Sequence, residues 1–570
     1  MGLLIGIPLL LPDRSSTIPS GIEVPEPDSR LVFGEILEPL PGSGAAGKGL
    51  LSSDIEWRSL PGHFALVSVA EDEANLFTDH AATHPLYVAE ESWGLLVSDD
   101  LGKMVPHLET PRLDPSWLSQ FLYFNYPLGE TTFLDGVRRL PAATHLHFDR
   151  RTGAIVQRRW KALLDRPDRF LDANESRIRA TEVFADRIPR YLTPPDEVAL
   201  SLTGGFDSRT LLAFAPESLR REVLTYTYGV EGCGDLLDAG EIARRLGLRH
   251  EALCFDGTFE EELPRRIWTT VQRSGGCERI LRATLDRVYE DLARGRSIAV
   301  TGVSGDNLFR DHLLGRGNVP AIIPPAMMDH LQGRSPEIDR NLLASIYAGE
   351  SDAALGRVQD SLDAVWGRWG EGGQALTFQR YLVYEVAPRY FGGEAALARH
   401  HLRYRAPFWD PEILALAFEL SLGVLGLSTF LPGKDPYRES VLQASAILSQ
   451  PGMARVPMKG VSLAAYAGGR RWRYQLERLV RRGPGKVHKL VRPPRRVPLE
   501  DWEGWWQRTL RAPCSRLLGD DSRLAGHVDR GWIVRTLDSG DLHWIGKAVT
   551  AEIVLRLLEN RWELPAEAGP

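Results

Sequence analysis

The stretch VALSLTGGFDSRTLLAF runs from Val198 to Phe214. It opens as a short apolar run, the pattern of a strand buried on both faces. Thr203, Gly204, Gly205, Phe206, Asp207 and Ser208 interrupt it, and apolar residues at helical spacing follow at once. Two adjacent glycines let the backbone turn sharply and approach an anion closely. The helix start that follows offers N–H groups and the positive end of a dipole. Thr203 and Ser208 add hydroxyl donors, whereas a carboxylate at Asp207 suits phosphate only if Mg²⁺ stands between them. A simple helix cap needs one such residue, not this whole run. The candidate cradle comprises Ser201, Leu202 and Thr203 to Ser208, with Thr225 on the next apolar run.

Working outward, ANESRIRATEVFADRIPRYL reads as a helix before the cradle. After it come a strand in VLTYTYG, a helix in DLLDAGEIARRLG stopping at Gly247, a strand in HEALCF and a fourth in SIAVTGVSGD. Strands alternating with helices predict a parallel sheet with crossover helices. From about Ile323 the pattern is mostly helical. Upstream, GLLIGIPLL, RLVFGEIL, GHFALVSVA, ANLFTD, PLYVAE, WGLLVSDD, THLHFD and AIVQRRW are strand-like runs separated by turn residues. They predict an antiparallel, sheet-rich region ending near residue 165. The expected fold is α/β in two domains, 1–165 and 170–570.

A chain of 570 residues exceeds one compact core. Its net charge of -7 argues against a general nucleic-acid binder. Cys233, Cys254, Cys277 and Cys514 form no CxxC pair, so they indicate neither a zinc site nor a disulfide framework. No apolar run reaches the ~20 residues needed to span a bilayer, and a cytoplasmic location is expected. The segment from Arg470 to Arg496 is strongly basic, with Glu477 its only acid. It reads either as a solvated helix and loop or as a dock for an acidic partner, a peptide or an anionic membrane surface.

Thr203 to Ser208 resembles the SGGxDS pyrophosphate-binding loop of ATP-pyrophosphatases, with Thr in place of the first Ser. No GKS or GKT follows, so it is not the longer Walker loop. Further stretches resemble, in order, the synthetase domain of the asparagine synthetase-like family. GDLLDAGEIARRLGLRHEAL resembles the helix and strand after the loop, with its acid near Asp235. TGVSGDNLFRD resembles the second signature G-x-G-[AS]-D-E-L-F: Asp306 falls on its aspartate beside Gly305, Asn307 replaces the usual Glu, and Ser304 replaces a Gly. RYRAPFWDPEILALAFEL resembles the R-x-P-F-L-D stretch, but Arg403 stands where the family has an acid. GKDPYRESVLQASA and ARVPMKGVS resemble the K-x-x-L-R helix and R-x-K-x-G-F loop, which puts Lys459 where the family holds a lysine over the reacting phosphate. GHFALVSV, LFTDHAATHPLYVA, WGLLVSDDL and TTFLDGVRRLPAATHLHF resemble the same family's glutaminase domain. Family glutaminases carry a cysteine directly after the initiator methionine. Here Gly2 offers no thiolate, and no cysteine precedes Cys233.

The resemblance implies an Ntn-type αββα sandwich-like domain followed by a parallel-sheet ATP-pyrophosphatase domain. It implies an enzyme that uses ATP and Mg²⁺, holds the metal on Asp207 and Asp306, adenylates a carboxylate with help from Lys459, and forms an amide. With Gly2, glutamine hydrolysis is expected to be absent, so the amine must come from elsewhere. β-Lactam synthetases and lasso-peptide macrolactam synthetases use an amine already on the substrate. The basic segment 470–496 favours a precursor peptide or a biosynthetic partner protein, which places lasso-type macrolactam formation first. β-Lactam-type closure and ammonia-dependent asparagine synthesis follow, and a non-catalytic nucleotide-binding scaffold is the reading from another class. Tyr384 and Glu385 are candidates for deprotonating the amine, although a core tyrosine beside a solvated glutamate is the plainer reading.

Overall fold

The computed structural model describes residues 3–10, 20–37, 61–159, 169–309, 337–369, 374–420, 441–451, 453, 457–458, 461–462 and 497–568. Gly2, Lys459 and the segment 470–496 lie outside them, and Asp306 is described by its backbone alone.

The first nine strands are β1 (Leu4–Pro8), β2 (Ser29–Ile36), β3 (Gly62–Val69), β4 (Glu73–Thr78), β5 (Tyr87–Glu91), β6 (Gly94–Ser98), β7 (Val137–Arg139), β8 (Thr144–Asp149) and β9 (Ile155–Arg159). They form two antiparallel sheets, ordered β1-β6-β5-β7 and β2-β3-β4-β8-β9. Alternation along THLHFD turns Leu146 and Phe148 inward and leaves its histidines at the margin. Those inward residues meet Ile5 and Ile7 of β1 and Val97 of β6 in one core that both sheets share. The sheets therefore stack as a sandwich, the arrangement expected for an Ntn-like unit. β7 escapes sequence reading because three residues are too few to establish a period.

The second unit is built on β10 (Val198–Ser201), β11 (Leu224–Gly229), β12 (Arg249–Cys254), β13 (Ile298–Val300) and β14 (Arg403–Arg405). All neighbours pair in parallel, in the order β12-β11-β10-β13-β14. β10 and β13 are central and buried, as their apolar runs predict, whereas β12 is a largely exposed edge. The helix Gly234–Leu246 returns the chain from β11 to β12. It stops at Gly247, whose φ of +66° is the left-handed conformation that glycine adopts without strain. After Ile323 the described elements are mostly helical, with short strands among them. RYRAPFWD begins with β14, in register with Ile298–Val300 a hundred residues earlier. Such a short edge strand exists only because of its neighbour.

An ion-pair cluster ties the two units together. Arg405 grips Glu35 of β2 with two bonds of 2.7 Å and also donates to the carbonyls of Tyr191 and Thr193. Arg403 reaches Glu35 at 3.1 Å and Glu197 at 2.6 Å. The residue that departs from the family's acid is thus part of this clamp.

Candidate active site

In an open parallel sheet, ligands bind at the carboxyl ends of the strands where the strand order reverses. Here the chain steps from β10 to β11 and β12 on one side, then returns to place β13 on the other. The crevice at that reversal is lined by the loop after β10, Leu202–Gly205, and the loop after β13, Thr301–Ser304. These are the two signature stretches, which topology brings together from a hundred residues apart.

Inside the first loop, hydroxyls hold the backbone. The Ser208 Oγ accepts from the Thr203 amide at 3.0 Å, and the Thr203 Oγ1 accepts from the Gly205 amide at 3.1 Å. The Thr227 hydroxyl donates to the Leu202 carbonyl, and the Leu202 amide donates to Tyr226 at 2.8 Å. Gly205 precedes the helix Phe206–Phe214 in extended conformation, with no side chain capping the helix start. Thr203 and Ser208 therefore shape the loop. Thr225 is turned elsewhere: its hydroxyl donates to the Arg249 carbonyl on β12 at 2.8 Å.

The glycines are demanded by space. A Cβ on Gly204 would stand 2.6 Å from the Asp238 carboxylate. One on Gly302 would stand 3.0 Å from both the Asp207 Cβ and the Ser208 amide nitrogen, and one on Gly305 would stand 2.8 Å from the Asp207 Cγ. Asp207 is thus wedged against the second loop and accepts a hydrogen bond from the Gln443 amide at 2.9 Å. Ser304, where the family has glycine, sits at φ +68°, and its hydroxyl accepts from the Trp409 indole at 2.9 Å. Gly305 and Asp306 begin the short helix that follows.

Sequence reading missed Arg209 and Gln443, and it gave Asn307 only as the replacement of a Glu. Arg209 is 2% exposed, and none of its three guanidinium nitrogens has a hydrogen-bond partner among the described residues. Burial draws its pKa down to about 10, opposed by the charge of Asp238. Asn307 is buried, and among the described residues neither its amide oxygen nor its amide nitrogen has a partner, nor does the carbonyl oxygen of Gln443. Buried polar groups are ordinarily bonded, so orphans gathered around one crevice fit a polar, anionic ligand there. The donor set suits a nucleotide phosphate with a divalent ion on Asp207. Among the described residues, no group of three or more His, Cys, Asp and Glu is placed to hold a metal. The side chain of Asp306, the other expected ligand, lies outside them.

Tyr384 and Glu385 lie in the π-helical stretch Leu382–Phe391, and both are buried. The Tyr384 ring stacks on Trp369, and its hydroxyl accepts from Arg159 at 3.2 Å. Glu385 is not solvated: its two oxygens accept from the Trp369 indole at 2.8 Å and the Gly129 amide at 3.0 Å. None of these bonds joins the pair to the glycine loops. Lys459 lies outside the described residues. The strands that flank it, Pro457–Met458 and Val461–Ser462, pair antiparallel, and the first packs on the helix Gly234–Leu246.

Sheet order and paired loops define the class: an open-sheet α/β protein with a ligand crevice at its switch point. Residues 181–424 match the family described as asparagine synthase. Carboxyethyl-arginine beta-lactam-synthase of Streptomyces clavuligerus is 26% identical over 352 residues, which cover 61% of this chain and 60% of that protein. Residues 181–424 are thus similar to the asparagine synthetase-like family.

Proposed function

We propose that the chain is an ATP-dependent synthetase that adenylates a carboxylate, releases AMP and pyrophosphate, and couples the acyl group to an amine without hydrolysing glutamine. The observation that carries this reading is Asp207 wedged against the second glycine loop, two residues from a buried arginine whose guanidinium has no hydrogen-bond partner among the described residues. Mg²⁺ on Asp207 and Asp306 would neutralise phosphate charge as the bond between the α- and β-phosphates breaks. The Leu202–Gly205 loop and the uncapped helix start orient pyrophosphate, and Arg209 supplies positive charge. Lys459 offsets charge developing on the α-phosphate as the carboxylate attacks. The amine then displaces AMP after losing a proton. Tyr384 and Glu385 are spent on Trp369, Arg159 and Gly129, so deprotonation by that pair requires those bonds to open.

The amine belongs to the substrate itself in this reading. Similarity to a protein named for making a β-lactam supports that. Among ring closures we place lasso-type macrolactam formation first. It rests on the basic segment 470–496 as a dock for a precursor peptide or a partner protein. Similarity to carboxyethyl-arginine beta-lactam-synthase favours β-lactam-type closure as the second reading.

Pyrophosphate exchange into ATP tests the reaction class. Label is expected to exchange with the correct carboxylate, AMP to accumulate, and Asp207→Ala to abolish both. Release of ADP in place of AMP overturns the proposal. Product mass then decides the acceptor: loss of one water from a single substrate means ring closure.

A further inference from the structure

A second cavity, of about 830 Å³, lies where the antiparallel sandwich meets the starts of β13 and β14. It is distinct from the crevice, which opens at the opposite, carboxyl ends of the parallel strands. Its volume falls within the range of small-molecule sites. Its walls are mixed: Leu101, Ala395, Leu402 and Trp409 supply apolar surface, and Arg296 and Arg399 supply charge.

The charge balance of the lining is uneven. Three carboxylates face the cavity, and each is already occupied. Glu35 is held by Arg405 and Arg403. Asp99 accepts from the His84 ring at 2.9 Å and from the Leu3 amide at 2.7 Å. Asp100 caps a helix start through the Gly102 amide at 2.9 Å. Of the arginines, Arg273 is paired with Asp286 and Arg403 belongs to the clamp. Arg399 makes no hydrogen bond or ion pair with any described residue, and it faces Asp99 and Asp100 from beyond bonding distance. Among the described residues Arg296 bonds only the neighbouring Gly295 carbonyl through Nη1, and its Nε is buried without a partner. Two half-buried guanidinium groups thus line the cavity without a bonded carboxylate among the described residues, and the Nε of Arg296 is buried and unsatisfied. That is costly unless an anion completes the site.

We propose that this cavity binds a small organic carboxylate, with Arg399 and Arg296 as its charge partners and the Leu101, Leu402 and Trp409 surface covering its apolar part. A planar guanidinium matches a carboxylate with two parallel N–H bonds. The site backs directly onto the second signature loop. Trp409 donates to Ser304, and the Tyr404 hydroxyl, also in the wall, lies 2.8 Å from that of Thr301. A ligand here would press on the residues that position Gly302 and Gly305. The proposal does not depend on the reaction at the crevice.

Titration calorimetry of the full chain at fixed ionic strength tests it, with succinate, citrate and benzoate as probes and inorganic phosphate in a parallel arm. At least one carboxylate is expected to bind saturably, and Arg399→Gln and Arg296→Gln are each expected to weaken it tenfold or more. Circular dichroism checks the fold of both variants. Absence of saturable binding by every carboxylate in the wild type overturns the proposal, whatever the variants do. Binding of phosphate without any carboxylate also overturns it, as does unchanged affinity in a folded variant.

Discussion

Gly305 lies so close to Asp207 that a single added carbon would collide: its Cβ would stand 2.8 Å from the Asp207 Cγ and 2.6 Å from Phe408. Neither neighbour is a flexible chain end free to move away. Overpacking of this kind costs about 1–3 kcal/mol, and displacement of a reacting group by an ångström costs on the order of a hundredfold in rate. Gly305→Ala is therefore expected to lower pyrophosphate exchange at least tenfold and to lower the melting temperature. Gly349→Ala, where the added carbon meets nothing within 4 Å, is the control. Wild-type exchange in Gly305→Ala would refute the contact.

Arg209 predicts opposite effects on stability and binding. A buried cation without a partner is a burden on the empty protein, and apolar replacement of buried ionic groups often stabilises. Arg209→Met is expected to raise the stability of the ligand-free protein by on the order of 2 kcal/mol in urea unfolding. The same variant is expected to lose most of the stabilisation that pyrophosphate or Mg·ATP confers on the wild type. A destabilised variant that still responds fully to pyrophosphate would contradict the role of Arg209.

The clamp between the two units separates buried from exposed pairing. Glu35→Ala leaves Arg405, only 4% exposed, without its carboxylate. A loss of about 3 kcal/mol is expected. Arg403→Ala removes a side chain that is 47% exposed, and less than about 1 kcal/mol should follow. Denaturant titration of both variants checks the order, and equal losses would refute it.

His63 makes stability depend on acidity. The Ala406 amide donates to its Nε2 at 3.0 Å, so the ring proton sits on Nδ1 and points to the Thr83 hydroxyl, which donates to Asp79. Burial lowers its pKa from 6.5 to about 4. The unfolded chain takes up the proton first, so stability held above pH 6.5 is lost as pH falls towards 4. His84, depressed by its own burial, acts with the same sign. The loss from His63 is on the order of 3 kcal/mol. Melting temperature measured from pH 7 to 4 should fall less steeply in His63→Gln, and an unchanged slope would remove His63 as a source.

Legibility followed the range of the interaction. The strand, glycine turn and helix at Val198–Phe214 were readable because each depends on residues within a few positions. The antiparallel strands were readable for the same reason, apart from β7 with its three residues. Arg209 was missed because an arginine on a helix ordinarily faces water, and nothing local signals its burial. Asp238 and Gln443 were missed because their place beside the loop depends on elements packed from elsewhere in the chain. Thr225 lies on a strand next to the cradle, but its hydroxyl bonds the Arg249 carbonyl of the neighbouring β12.

The amino-acid sequence by itself determined where the chain turns, which runs become buried strands, and that a carboxylate stands in a cradle otherwise suited to phosphate. These follow from backbone freedom at glycine and from the spacing of apolar side chains. The tertiary structure alone decided which distant residues close on that cradle, that Tyr384 and Glu385 bond away from it, and that Arg403 fastens one unit to the other. Such outcomes depend on strand order and on shared desolvation, which are properties of packed surfaces and are carried by no single stretch of sequence.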